Sequence, residues 1–73
     1  MITASDGTYD WIRVTVTHDG LDLAYQVTGL TVQGSDFIDD PGARDWPDDD
    51  IREVVAQWLD VTGGQDEIQL DWV

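Results

Sequence analysis

A chain of 73 residues with no cysteine makes one small domain, 1–73, with a thin core and neither a disulfide nor a thiolate metal site to hold it. Sixteen acids face three arginines and no lysine; the net charge of -13 argues against direct binding to nucleic acid or an anionic membrane and favours basic protein surfaces and cations. An apolar fraction of 41% with four tryptophans still suffices for a packed core, so a folded domain is expected rather than a disordered tail.

Residues 1–8 are polar apart from Met1, Ile2 and Ala4, which suggests a frayed tail or a short edge strand through Met1–Thr3. They lack the basic and apolar regions of a signal peptide, and no apolar run approaches the ~18 residues of a membrane span. The expected location is the cytoplasm, or the host cytoplasm or virion for a viral protein.

Residues 9–28 are the clearest local unit. Tyr9–His18 and Leu21–Thr28 both alternate, and Asp19-Gly20 between them is the strongest two-residue hairpin signal, suited to a type I′ turn. That turn sets His18 opposite Leu21, Val16 opposite Leu23, Val14 opposite Tyr25 and Ile12 opposite Val27, all on one face. The other face carries Trp11, Arg13, Thr15, Thr17, Asp22, Ala24 and Gln26. Gly29 reads as a bulge that re-aims the second strand, with Leu30 and Val32 resuming the alternation to about Gln33. Residues 34–47 read as a loop, marked by Gly34-Ser35 and Pro41-Gly42 and tacked down by Phe37-Ile38.

Trp46–Val61 is the one segment with helical period: Ile51, Val54, Val55, Trp58 and Leu59 share a face. Pro47 suits the first turn and Trp46 can staple onto Ile51. Asp48, Asp49 and Asp50 meet the positive end of the helix dipole, and Asp48 is spaced to pair with Arg52. Thr62-Gly63-Gly64 supplies a left-handed stop. Residues 67–73 read as a last strand with Ile68, Leu70 and Trp72 inward and Gln69, Asp71 and Val73 outward.

The expected fold is α+β, in the order ββαβ. One three- or four-stranded, mainly antiparallel sheet of order 2-1-3 carries a single helix on one face. A right-handed crossover lays the last strand parallel to the second. The opposite face, around Trp11 and Arg13, is left open.

Catalysis by a nucleophile needs a base and an orienter, and the chain has one histidine beside a turn and two serines in loops. A lone helix on a small sheet offers no deep cleft to split two carboxyl pKa values. Asp36, Asp39, Asp40, Asp45, Asp48, Asp49 and Asp50 could supply oxygen ligands to Ca²⁺ or Mg²⁺, but their spacing is not that of an EF-hand loop. No catalytic, cofactor or metal residue is therefore assigned.

The expected function is non-enzymatic: a small acidic protein–protein interaction module, an accessory or structural subunit of a cell or virus adapted to high salt. Its partner is a protein, with a second copy of the chain docking at the open sheet face or a sheet edge as one form. The residues that carry binding are Asp36, Asp39, Asp40, Asp45, Asp48 and Asp49, with Trp11 and Arg13 on the open face. In size and charge the chain resembles the phage-encoded nucleic-acid mimics, anti-CRISPR proteins among them. That resemblance implies the alternative function, an inhibitor whose aspartates imitate a phosphate backbone and block a basic DNA- or RNA-binding protein.

Overall fold

The computed structural model describes residues 1–29 and 31–73, and the expected resumption of alternation at Leu30 lies outside them. The strands are β1 (Ile2–Ala4), β2 (Gly7–Val16), β3 (Gly20–Val27), β4 (Val32–Asp39), β5 (Val61–Gly63) and β6 (Gln69–Trp72). The helix α1 spans Asp48–Trp58, and short 3-10 helices cover Pro41–Asp45 and Gln65–Glu67. The architecture is α+β, a mostly antiparallel sheet with one α-helix packed against it.

The sheet is larger than the sequence suggested. Among the described residues it has six strands in the order β4-β3-β2-β1-β5, with β6 paired to β2, so both the count of three or four and the order 2-1-3 are corrected. The cause lies in the passage from β3 to β4. There the chain reverses instead of bulging, Thr31 takes a left-handed φ of 52°, and Thr31 N donates to Thr28 O. The segment expected to be a loop returns along β3 as β4, with Val32 opposite Val27 and Asp39 opposite Gly20. That extra reversal changes the polarity of everything downstream. β6 therefore runs parallel to β2, from Arg13–Gln69 to Val16–Trp72, and not parallel to β3 as expected.

The central hairpin forms on the predicted residues with a register two residues different. Val16 pairs with Leu21, Val14 with Leu23 and Ile12 with Tyr25. A shift of two keeps every side chain on its face, so Ile12, Val14, Val16, Leu21 and Leu23 are all completely buried. The turn is not type I′, because Asp19 has no positive φ. Instead Thr17 Oγ1 accepts from the amides of Asp19 and Gly20, and Thr17 N donates to Gly20 O. His18 is consequently exposed in the turn and does not face Leu21. Gly20 is needed for a different reason: its φ is +153°, and a Cβ there would sit 2.1 Å from the carbonyl oxygen of Ile38 on β4.

Residues 1–8 do hold a short strand near the expected Met1–Thr3, but it is not at an edge. β1 lies between β2 and β5, and Ile2 is buried.

The helix is shorter than its periodic stretch, and rotated. Pro47 is its N-cap rather than a residue of the first turn. It ends at Trp58 because Asp60 takes a left-handed φ of 58°, after which Val61–Gly63 extends as β5; the glycines expected to stop the helix come later. The buried stripe is Ile51, Val55, Ala56 and Leu59, while Val54 is half-buried and Trp58 is 56% exposed. Arg52 explains the rotation. Its Nε donates to Ile68 O (3.0 Å) and its NH1 approaches Asp49 (3.4 Å), so this side turns inward with its aliphatic stem. The expected Asp48–Arg52 pair is thus replaced by Asp49–Arg52.

Trp72, expected in the core, is also exposed, at 45%. The four-residue β6 reaches the end of β2 there, and only Ile68, just before the strand, is fully inside.

Candidate functional site

Alternation along β4 decides where the acidic residues go. Asp36 pairs with Leu23 and so points to the helix-covered side of the sheet, while Phe37 and Asp39 point to the open side. Asp36 is thereby separated from the other aspartates expected to act with it. Its Oδ2 accepts from the Tyr25 hydroxyl at 3.0 Å. Tyr25 reaches it by lying across Gly34, where a Cβ would stand 2.6 Å from the ring.

Around this bond is a cleft of about 330 Å³, at the C-terminal end of α1. Tyr9 and Tyr25 form its aromatic wall, with ring centroids 5.5 Å apart at 73°. Trp58 and Leu59 close it from the helix, and Val27 and Val32 from the sheet. Asp6, Asp36 and Asp60 line it, and Ser5 Oγ donates to Asp60. The two tyrosines report the local field. Burial first, then the charges around Asp6, Tyr25 and Asp36, pushes the Tyr9 hydroxyl above its ordinary 10.0. For Tyr25 the hydrogen bond to Asp36 is the main cause of the same upward shift.

The remaining acidic residues form a second feature. Asp39, Asp40, Asp45, Asp48, Asp49 and Asp50 fall within twelve residues, on the end of β4, the first 3-10 helix and the first turn of α1. Two have local work. Asp40 Oδ1 accepts from Gly42 N as a cap, and Asp49 pairs with Arg52. Arg44, the one base in this band, donates to Val73 O instead. Among the described residues no three His, Asp or Glu side chains converge closely enough to hold a metal ion.

Trp11 and Arg13 lie together on the open sheet face. The Arg13 guanidinium stands 5.8 Å from the Trp11 ring centroid and 3.8 Å from Asp71 on β6. Trp11 is 36% exposed and Phe37 on the same face is 49% exposed. Among the described residues only four acids, Asp19, Asp49, Glu67 and Asp71, have a basic group within ion-pair distance, so most of the negative charge has no ion-pair partner there.

Sequence reasoning placed the acid band and the Trp11–Arg13 pair but missed the cleft. Tyr9 with Asp6, Tyr25 and Asp60 come from three separate segments of the chain. The signal that could have found them was the spacing Val32-x-Gly34-x-Asp36-x-Ile38, a strand whose glycine leaves room for a cross-strand tyrosine. No helix among the described residues is long and apolar enough to cross a membrane. The chain matches no family model, no curated protein and no solved structure.

Proposed function

We propose that this protein is a non-enzymatic acidic interaction module whose partner is a basic protein surface. The observation that carries the reading is the unneutralised band Asp39–Asp50, where six carboxylates are met by one internal ion pair and one cap. The helix dipole favours Asp48, Asp49 and Asp50 in the first turn of α1, and Asp40 and Asp49 have local partners, but Asp39 and Asp45 have no side-chain partner among the described residues and the crowding itself is repulsive. A cationic partner would turn the same charges into attraction and fast association.

An enzymatic reading has less support. Ser5 precedes β2 and the single histidine follows it, so the two are separated by the length of a ten-residue strand, roughly 30 Å. The same band supports one narrower form of the proposal, a phosphate-backbone mimic that occupies a nucleic-acid-binding groove. Salt adaptation is a further part of the proposal and concerns stability, taken up in the Discussion.

The test is fluorescence anisotropy of a labelled lysine- and arginine-rich peptide of about ten residues. Three proteins are compared: wild type, a variant with Asp39, Asp40, Asp45, Asp48 and Asp49 changed to Asn, and a charge-matched variant with Asp10, Asp19, Asp22, Asp66 and Asp71 changed to Asn. The proposal expects the first variant to lose about tenfold or more in affinity and the second far less. Equal losses in both would mean that only the overall charge matters and would remove the band as a binding surface.

A further inference from the structure

We propose that the cleft at the C-terminal end of α1 is a receptor for one arginine side chain of the partner protein. This rests on the reading of the chain as a partner of basic proteins and adds a specific pocket to it. The walls decide the class of ligand. Tyr25 and Trp58 present aromatic surface, with the buried Tyr9 ring behind them, and such surface attracts cations through the ring quadrupole. Asp6, Asp36 and Asp60 give the rim its sign, and none of the three has a basic partner among the described residues.

The helix end adds to the same field. A helix C-terminus carries partial negative charge and usually has a cation nearby, yet the last turn of α1 contains no base. Gln57 and Trp58 stand there instead, followed by Leu59 and the carboxylate of Asp60. A cation entering the cleft would meet this partial charge as well as the three carboxylates.

Spacing then selects among cations. The acids do not converge tightly enough for a metal ion, so a point charge cannot satisfy them together. A guanidinium is flat, stacks on an aromatic ring and offers five donors in a fork, which suits carboxylates set apart around an aromatic wall. An ammonium has three donors at one point and is more strongly hydrated. The cleft volume of about 330 Å³ leaves room for a side chain and not for a second folded element.

The experiment is an NMR titration of the ¹⁵N-labelled protein with three short peptides that differ at one central residue: arginine, lysine, or citrulline, the neutral isostere of arginine. The arginine peptide should give saturable shifts at the Trp58 indole and at the amides of Ser5, Asp6 and Asp60. The lysine peptide should bind more weakly there, and the citrulline peptide should give no saturable shift. The variant Asp36→Asn/Asp60→Asn keeps an acceptor for Tyr25 and Ser5, and asparagine tolerates the left-handed φ at position 60. It should weaken the arginine peptide by about tenfold or more, whereas Asp22→Asn/Asp66→Asn, outside both the cleft and the acid band and with the same change in net charge, should weaken it by less than about twofold. Arginine shifts confined to Asp39–Asp50 would overturn the cleft and leave the acidic module standing; no saturable shift from any cationic peptide would overturn both. Equal binding of arginine and citrulline would overturn the assignment of a cation to the cleft.

Discussion

Raising the salt concentration should stabilise this protein strongly, and the size of the effect follows from its charge and dimensions. The radius of gyration is 11.4 Å, equivalent to a sphere of about 15 Å radius. An unfolded chain of this length has a radius of gyration of about 26 Å. Spreading the net charge of -13 over each sphere in water, the excess repulsion in the folded state is about 7 kcal/mol at 0.1 M salt. At 1 M, with the Debye length near 3 Å, it falls to about 3 kcal/mol. The expected gain of about 4 kcal/mol is a large share of a total stability of about 4–11 kcal/mol. Urea unfolding at 0.1 M and 1 M KCl, followed by tryptophan fluorescence, measures it directly.

A variant makes the test sharper. Changing Asp22, Asp39, Asp45 and Asp66 to Asn takes the net charge from -13 to about -9. Repulsion scales with the square of charge, so the gain should drop to about 2 kcal/mol, while stability at 0.1 M should rise. A wild-type gain below about 1 kcal/mol, or an undiminished gain in the variant, would refute the reasoning.

Gly20→Ala should cost about 2 kcal/mol or more, because its Cβ would collide with Ile38 O at a φ of +153°; an unchanged urea midpoint would contradict this. Arg52→Met keeps the packed stem but removes the donor to Ile68 O, and should cost about 1–3 kcal/mol in the same assay. Above pH 10 the protein should lose stability. Tyr9 and Tyr25 are held above their ordinary 10.0, so the unfolded chain releases these protons first. Their contribution is intact below pH 10 and is lost as the pH rises through the folded values. Tyrosinate absorbance should show both titrating higher in the native protein than in urea, and Tyr25→Phe should leave one such group; native tyrosines titrating at the ordinary value would contradict the assignment.

The sequence made the one-sided elements readable. Ile12, Val14, Val16, Leu21 and Leu23 alternate against polar neighbours, and their burial survives a two-residue error in register because the side-chain period is two. β4 was not readable for the converse reason. Asp36 and Gly34 share the inner face with Val32 and Ile38, and Phe37 sits outside, so neither face is apolar. What makes the segment a strand is its antiparallel pairing with β3, which is a tertiary fact. Missing β4 hid the cleft, because two of its walls, Val32 and Asp36, belong to that strand.

The tryptophans teach a related lesson. Trp58 fits the helical period, yet Arg52 and Ala56 draw the buried face away from it and leave it at the rim of the cleft. The acid band was legible as charge, but alternation along β4 could not be applied until the strand was known. Only then does Asp36 part from Asp39.

The central claim is that this surface charge exists to receive a basic protein, and a residue-by-residue map of a bound basic peptide tests it most directly. Titrating the ¹⁵N-labelled protein with the lysine- and arginine-rich peptide should give saturable shifts in two places, along Asp39–Asp49 and around Trp58, Asp6 and Asp60, with an affinity that falls steeply as salt rises. Weak, unsaturable shifts spread evenly over all sixteen acids would show only a counterion atmosphere and would contradict the account.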